Sequence, residues 1–139
     1  KAKAVIKKEA HLMLGVLEPL DWADKKNFKI GLASASPLHL IELALTKFNI
    51  SHRFDFYHSA DLEEFNKPHP AVYLTVAKKL NVSIENCLIM EDSGNGVKGA
   101  VASGAQVIAI PAKEEFLDAK FDIANHKLNS LLELPLLFG

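Results

Sequence analysis

The chain has 139 residues, 49% of them hydrophobic, and 16 Lys and Arg against 17 Asp and Glu leave a formal net charge of −1. That length and apolar content suit one globular domain with a proper core, and the balanced, interspersed charge argues against nucleic acid or an anionic membrane as partner. No apolar run approaches the ~20 residues of a membrane span, and a single cysteine, Cys87, excludes an internal disulfide framework and points to a reducing, cytoplasmic setting.

Residues 2–10 read as the end of a helix with lysines on its wet side, too charged and broken for a signal peptide. A helical pattern follows from Gly15 to Lys26, with Val16, Leu17, Leu20, Trp22 and Ala23 apolar; Trp22 is read as a packing residue. Phe28 to Ala33 is a short apolar run without polar alternation, the signature of a parallel strand covered on both faces. Ser34-Ala35-Ser36-Pro37 turns the chain, and Pro37 opens a helix over Leu38 to Phe48. Phe54 to Tyr57 is a second strand, and a polar loop runs from Ser59 to Lys67. A helix over Ala71 to Leu80, with Val72, Leu74, Val76 and Ala77 apolar, ends at Asn81, and Ser83 to Asn86 is a single turn. Cys87 to Met90 is a third strand, Gly96 to Ser103 a helix closed by Gly104, and Gln106 to Ile110 a fourth strand stopped by Pro111. The tail offers a short helix around Lys113 to Ala119, an edge strand near Ile123 and an apolar end from Leu131. Strands alternating with helices at this spacing predict one α/β domain with a mainly parallel sheet.

In such sheets ligands bind beyond the carboxyl ends of the strands. Ser34, Glu91 and Asp92 each fall at or just after the end of an apolar strand, and Lys67 ends the loop that follows another. Ser34 can donate its hydroxyl to a phosphate oxygen beside the positive end of the Pro37 helix, or it can cap that helix, a task also open to Ser36. Lys67, held between Asn66 and Pro68, can neutralise a transferring phosphoryl group or stand as an exposed loop lysine. Adjacent carboxylates at a sheet end need compensation. Mg²⁺ supplies it through one or two carboxylates plus phosphate and water, and the amides of Ser93 to Gly96 supply it through hydrogen bonds. His58 follows a strand and is a candidate pocket residue; His69, between two prolines, reads as structural. The histidines lack zinc spacing, and no Walker loop, Gly-x-Gly-x-x-Gly or Gly-x-Ser-x-Gly is present. A receiver domain of two-component signalling uses similar groups, but its acidic pair comes first in the chain and its lysine last, the reverse of the order here.

The segments Ile30-Gly31-Leu32-Ala33-Ser34-Ala35-Ser36-Pro37, Lys67-Pro68-His69-Pro70 and Glu91-Asp92-Ser93-x-x-Gly96 resemble the second, third and fourth motifs of the haloacid dehalogenase-like phosphatases, β-phosphoglucomutase-like group. The resemblance runs from about Gly15 to the C-terminus. It implies a Rossmann-like parallel core sheet with flanking helices. Ser34 is matched to the phosphate-binding hydroxyl, and Lys67 to the lysine that stabilises the phosphoryl and orients the nucleophile. Asp92 is matched to the direct Mg²⁺ ligand, and Glu91 to a ligand acting directly or through water. Substrate contacts are expected at Ser34, Ala35, Lys67 and Asn95. The Ala35-Ser36-Pro37 continuation is most similar to that of 2-deoxyglucose-6-phosphate and hexitol-phosphate phosphatases. The implied activity is hydrolysis of a small sugar phosphate through an aspartyl-phosphate; mutase-type transfer and non-catalytic binding of a phosphorylated metabolite are the alternatives.

The family's first motif, a strand ending in Asp-x-Asp, is not in the sequence, and none of Asp21, Asp24, Asp55, Asp61, Asp118 or Asp122 replaces it. That strand should lie between Phe28–Ala33 and Cys87–Met90, followed by a helical cap. The expectation is therefore the C-terminal part of one core domain that lacks the central first strand and the cap, with residues 1–14 returning from that cap. Alone it should fold poorly or associate, and should not turn over substrate, the nucleophile being outside it.

Overall fold

The computed structural model describes residues 4–8, 17–63 and 70–128. Among the described residues six strands form one sheet: β1 (Ala4–Lys8), β2 (Lys29–Ser34), β3 (Phe56–Ser59), β4 (Cys87–Glu91), β5 (Gln106–Ala109) and β6 (His126–Lys127). Their order is β3-β2-β1-β4-β5-β6, and every pairing is parallel. Between them run helices α1 (Leu17–Lys25), α2 (Leu38–Lys47), α3 (Ala71–Leu80) and α4 (Gly94–Ser103). Among the described residues no helix is long and apolar enough to cross a membrane.

Both faces of the sheet are covered, which explains its unbroken apolar runs. Ile30 and Leu32 of β2, Leu88 and Met90 of β4 and Ile108 of β5 pack with Leu20, Trp22 and Ala23 of α1 and Ile41 and Leu45 of α2. Their alternating neighbours Ala33, Cys87, Ile89, Val107 and Ala109 pack with Tyr73, Val76 and Leu80 of α3 and Val97 and Ala100 of α4. Trp22 meets Phe28 edge to face at 5.6 Å, a packing role as expected. Leu74, expected among the apolar positions of α3, is instead exposed. Gly31 lets α3 approach the sheet: a Cβ there would come within 2.5 Å of Val76 Cγ1 and 3.1 Å of Leu80 Cδ1.

Each helix is stopped by a left-handed residue. Asn27, Asn49 and Asn81 have φ of 59°, 54° and 60°, and Gly104 has φ of 93°. After the three asparagines the next amide reaches back five residues: Phe28 to Ala23, Ile50 to Leu45 and Val82 to Ala77. These bonds occupy carbonyls that a helix end leaves open.

Several expectations need correction. Residues 4–8, expected within a helix, are the central strand β1, so the place expected to be empty between β2 and β4 is filled. Two facing strand edges with unpaired amides and carbonyls are costly, and Ala4-Val5-Ile6 offers β-branched residues to satisfy both. This strand ends in Lys7-Lys8, with no Asp-x-Asp. β3 lies two residues later than expected, because buried Phe54 belongs to the turn before the strand. α4 starts two residues early, capped by Ser93. Instead of a helix from Lys113 to Ala119 there are 3₁₀ turns at Lys113–Glu115 and Ala119–Phe121, and the edge strand is at His126–Lys127. The apolar end from Leu131 lies outside the described residues.

Candidate functional site

Strand order reverses at β1 and β4: β2 and β3 build outward on one side, β5 and β6 on the other. A crevice forms beyond the carboxyl ends at such a switch point. The register puts Ser34 one residue past Ala33, which pairs with Lys8, and Glu91 one residue past Met90, which pairs with Lys7. Ser34 and Glu91 therefore straddle the end of β1, their backbones roughly 10 Å apart at two interstrand spacings.

Ser34 is buried, and its Oγ accepts a hydrogen bond from Ser36 N at 3.1 Å. With a lone pair so engaged, the hydroxyl proton remains available to donate. Neither Ser34 nor Ser36 caps α2: the residue at that position is Pro37, with φ −56° and ψ 148°, and no side chain bonds the first turn. Leu40 N bonds Pro37 O at 3.0 Å, which leaves the amides of Leu38 and His39 without an intrahelical acceptor and able to meet an anion. Ala35 is exposed at the tip of the turn. Lys67 and His69 lie outside the described residues.

Glu91 and Asp92 have opposite surroundings. Glu91 is buried; its Oε1 accepts from Asp92 N at 3.0 Å, Ser93 N at 3.1 Å and Ser93 Oγ at 3.1 Å, and its Oε2 from the Tyr73 hydroxyl at 2.7 Å. Ser93 Oγ accepts in turn from Gly96 N at 3.0 Å, which joins the carboxylate to the α4 cap. Burial, then the adjacent Glu91 charge, push the Tyr73 hydroxyl far above the usual tyrosine range, so it stays a donor. Asp92 is exposed beyond the strand end. No group of three or more His, Cys, Asp or Glu able to hold a metal occurs among the described residues. One exposed carboxylate completed by phosphate oxygens and waters is a donor set that fits Mg²⁺, which rarely takes an all-protein cage. Asn95, exposed on the first turn of α4, lines a cleft of about 560 Å³ with Ser93, Gly94, Lys98, Ala119, Lys120 and Ile123.

His58 lies within β3 rather than after it; its ring stacks on Phe56 at 5.9 Å and Nε2 bonds the Glu63 carboxylate. Cys87 is buried and free. Two residues escaped the sequence reading. Tyr73 sits on the buried stripe of α3, where its hydroxyl needed a polar partner, a requirement that could have flagged it. Ser59 is fully buried at the end of β3, a strand of otherwise half-buried residues whose pattern gave no signal for it.

The family model for haloacid dehalogenase-like hydrolases matches residues 1–110. Hexitol phosphatase B of Escherichia coli O157:H7 is 40% identical over 134 residues, covering 96% of this chain and 60% of its own length. The phosphorylated carbohydrates phosphatase of Thermotoga maritima is 33% identical over 94 residues, covering 68% of this chain and 44% of its own length. The crystal structure of β-phosphoglucomutase from Clostridium difficile superposes with a TM-score of 0.74 at 32% identity, covering 86% of this chain and 51% of that one. The chain thus spans at most 60% of the length of these three relatives.

Proposed function

This chain belongs to the haloacid dehalogenase-like hydrolase family, and we propose that it forms the phosphate- and metal-holding part of a Mg²⁺-dependent phosphatase acting on a small sugar phosphate such as a hexitol phosphate. The observation that carries the reading is the Ser34 turn: a buried hydroxyl with its lone pair engaged and its proton available, beside an uncapped helix start at the carboxyl edge of the sheet. Ser34, with the Ala35 backbone, would hold phosphate oxygens, Lys67 would offset charge on the transferring phosphoryl, and Asn95 would contact the substrate from the start of α4. Asp92 would ligate the metal directly, while Glu91, its oxygens taken by Tyr73 and Ser93, fixes the backbone that presents Asp92. Bound Mg²⁺ would neutralise charge on the phosphoryl oxygens. An aspartate outside these 139 residues, carried to the carboxyl edge by a segment other than β1, which ends in Lys7-Lys8, would be the nucleophile that forms the aspartyl-phosphate. The setting would be cytoplasmic.

The test is intact mass under denaturing conditions, paired with phosphate release from a hexitol phosphate. A species heavier than 15.3 kDa that hydrolyses the ester with Mg²⁺, and loses at least a hundredfold in rate on Asp92→Asn, is the expected result. Turnover by the 139 residues alone, or an Asp92→Asn protein of full activity, would overturn the reading. Appearance of an isomeric sugar phosphate instead of free phosphate would favour the mutase alternative.

A further inference from the structure

We propose that Ser59 is a positioning residue, whose hydroxyl clamps the turn carrying Ser34 in its phosphate-holding conformation; the proposal rests on the phosphate-site reading above. Ser59 and Ser34 are register partners at the ends of β3 and β2. Ser59 is fully buried, yet its hydroxyl packs no apolar core; it donates to Ser36 O at 2.6 Å and accepts from Asp61 N at 3.1 Å. Ser36 is therefore pinned at both ends of its backbone, its carbonyl by Ser59 and its N–H by Ser34 Oγ at 3.1 Å. Pro37 fixes the next φ at −56°.

With Ser36 fixed, the lone pair of Ser34 that faces its N–H is fixed too, and the hydroxyl proton is aimed away from the turn. Replacing Ser59 frees the Ser36 carbonyl to rotate, and the bond that orients Ser34 goes with it. The same hydroxyl holds Asp61 N at the start of the loop, and the His58–Glu63 contact ties that segment back to β3. Lys67 follows Glu63 by four positions in the sequence. One buried serine thus joins the Ser34 turn to the 3₁₀ turn at Ala60–Leu62 that follows β3.

Ser103 is the natural control. It is also buried, donates to Ala100 O and accepts from Ala105 N at 3.3 Å, but it ends α4, at the opposite edge of the sheet. The experiment measures inorganic phosphate affinity and amide hydrogen exchange for the whole protein that contains this chain and its Ser59→Ala, Ser59→Thr, Ser103→Ala and Ser34→Ala variants. We expect Ser59→Ala to weaken phosphate binding about tenfold and to speed Ser36 amide exchange at least tenfold. Ser103→Ala should do neither, whatever its loss of stability, and Ser59→Thr, which keeps the hydroxyl, should restore both. Phosphate affinity within twofold of the unsubstituted chain in Ser59→Ala, while Ser34→Ala loses it, overturns the clamp. A chain that does not bind phosphate, or binds it equally well as Ser34→Ala, refutes the phosphate-site reading instead. The clamp is then decided by exchange alone, and equal Ser36 rates in Ser59→Ala and Ser103→Ala overturn it.

Discussion

Gly96→Ala should destabilise the protein even though alanine is the better helix former. Gly96 lies in the first turn of α4, and a Cβ built there falls on the carboxylate of Glu91. That carboxylate cannot step aside freely: it is buried and accepts from Asp92 N, Ser93 N, Ser93 Oγ and the Tyr73 hydroxyl. Replacing glycine within a helix gains up to about 1 kcal/mol. Losing two hydrogen bonds to a buried charge costs about 3–6 kcal/mol, so the net loss is at least about 2 kcal/mol. With a urea m-value near ~2 kcal/mol/M, the unfolding midpoint should fall by about 1 M. Gly94→Ala is the internal comparison. Its Cβ would approach Lys120 Cδ to 2.8 Å, but that stem is flexible and its partner Glu115 is also exposed, so the change should be neutral or stabilising by up to ~0.5 kcal/mol. A Gly96→Ala midpoint equal to or above that of Gly94→Ala would show that Glu91 is not held as described.

Two further outcomes follow from the same packing. The Tyr73 hydroxyl, raised first by burial and then by Glu91, keeps its proton in the folded state well past the pH at which an unfolded tyrosine loses it. Its contribution is whole below about pH 10 and declines above it by up to about 1.4 kcal/mol per pH unit. Urea unfolding at pH 8 and pH 10.8 should therefore diverge more in the unsubstituted protein than in Tyr73→Phe, and equal divergence would refute the assignment. Cys87, pushed up to about 11 by burial and then by Glu85, should resist a thiol-specific disulfide reagent at pH 8 until urea unfolds the chain; rapid labelling of the native protein would contradict its placement.

How far the sequence could be read depended on which force decided each element. The strands at Lys29–Ser34, Cys87–Glu91 and Gln106–Ala109 are buried on both faces, so they left apolar runs that only a parallel sheet explains. Edge strands carry a weaker mark: Phe56, Tyr57 and His58 are half-buried, and their pattern slid by two residues toward buried Phe54. Ala4–Lys8 was not legible because two lysines follow three apolar residues, a pattern that fits a helix end, whereas the open edges of β2 and β4 favour a strand. The 3₁₀ turns after β5 depend on local hydrogen bonds, such as that donated by Lys120 N to Asp118 Oδ1, that leave no periodicity.

The different surroundings of Glu91 and Asp92 follow from the period of a strand. Cys87, Ile89 and Glu91 alternate onto the face covered by α3 and α4, while Leu88 and Met90 point to α1 and α2. Glu91 is the last residue of β4, so its side chain must enter the α3–α4 face, and a carboxylate there is stable only if donors meet it. Tyr73 on α3 and the Ser93 cap of α4 are those donors. Asp92, one residue beyond the strand, is released from the alternation and opens to solvent. An adjacent acidic pair at the end of a doubly covered strand therefore divides into one anchored carboxylate and one presented carboxylate. The presented one faces solvent at the carboxyl edge of the sheet, and Gly96 has no side chain because the anchored one occupies that space.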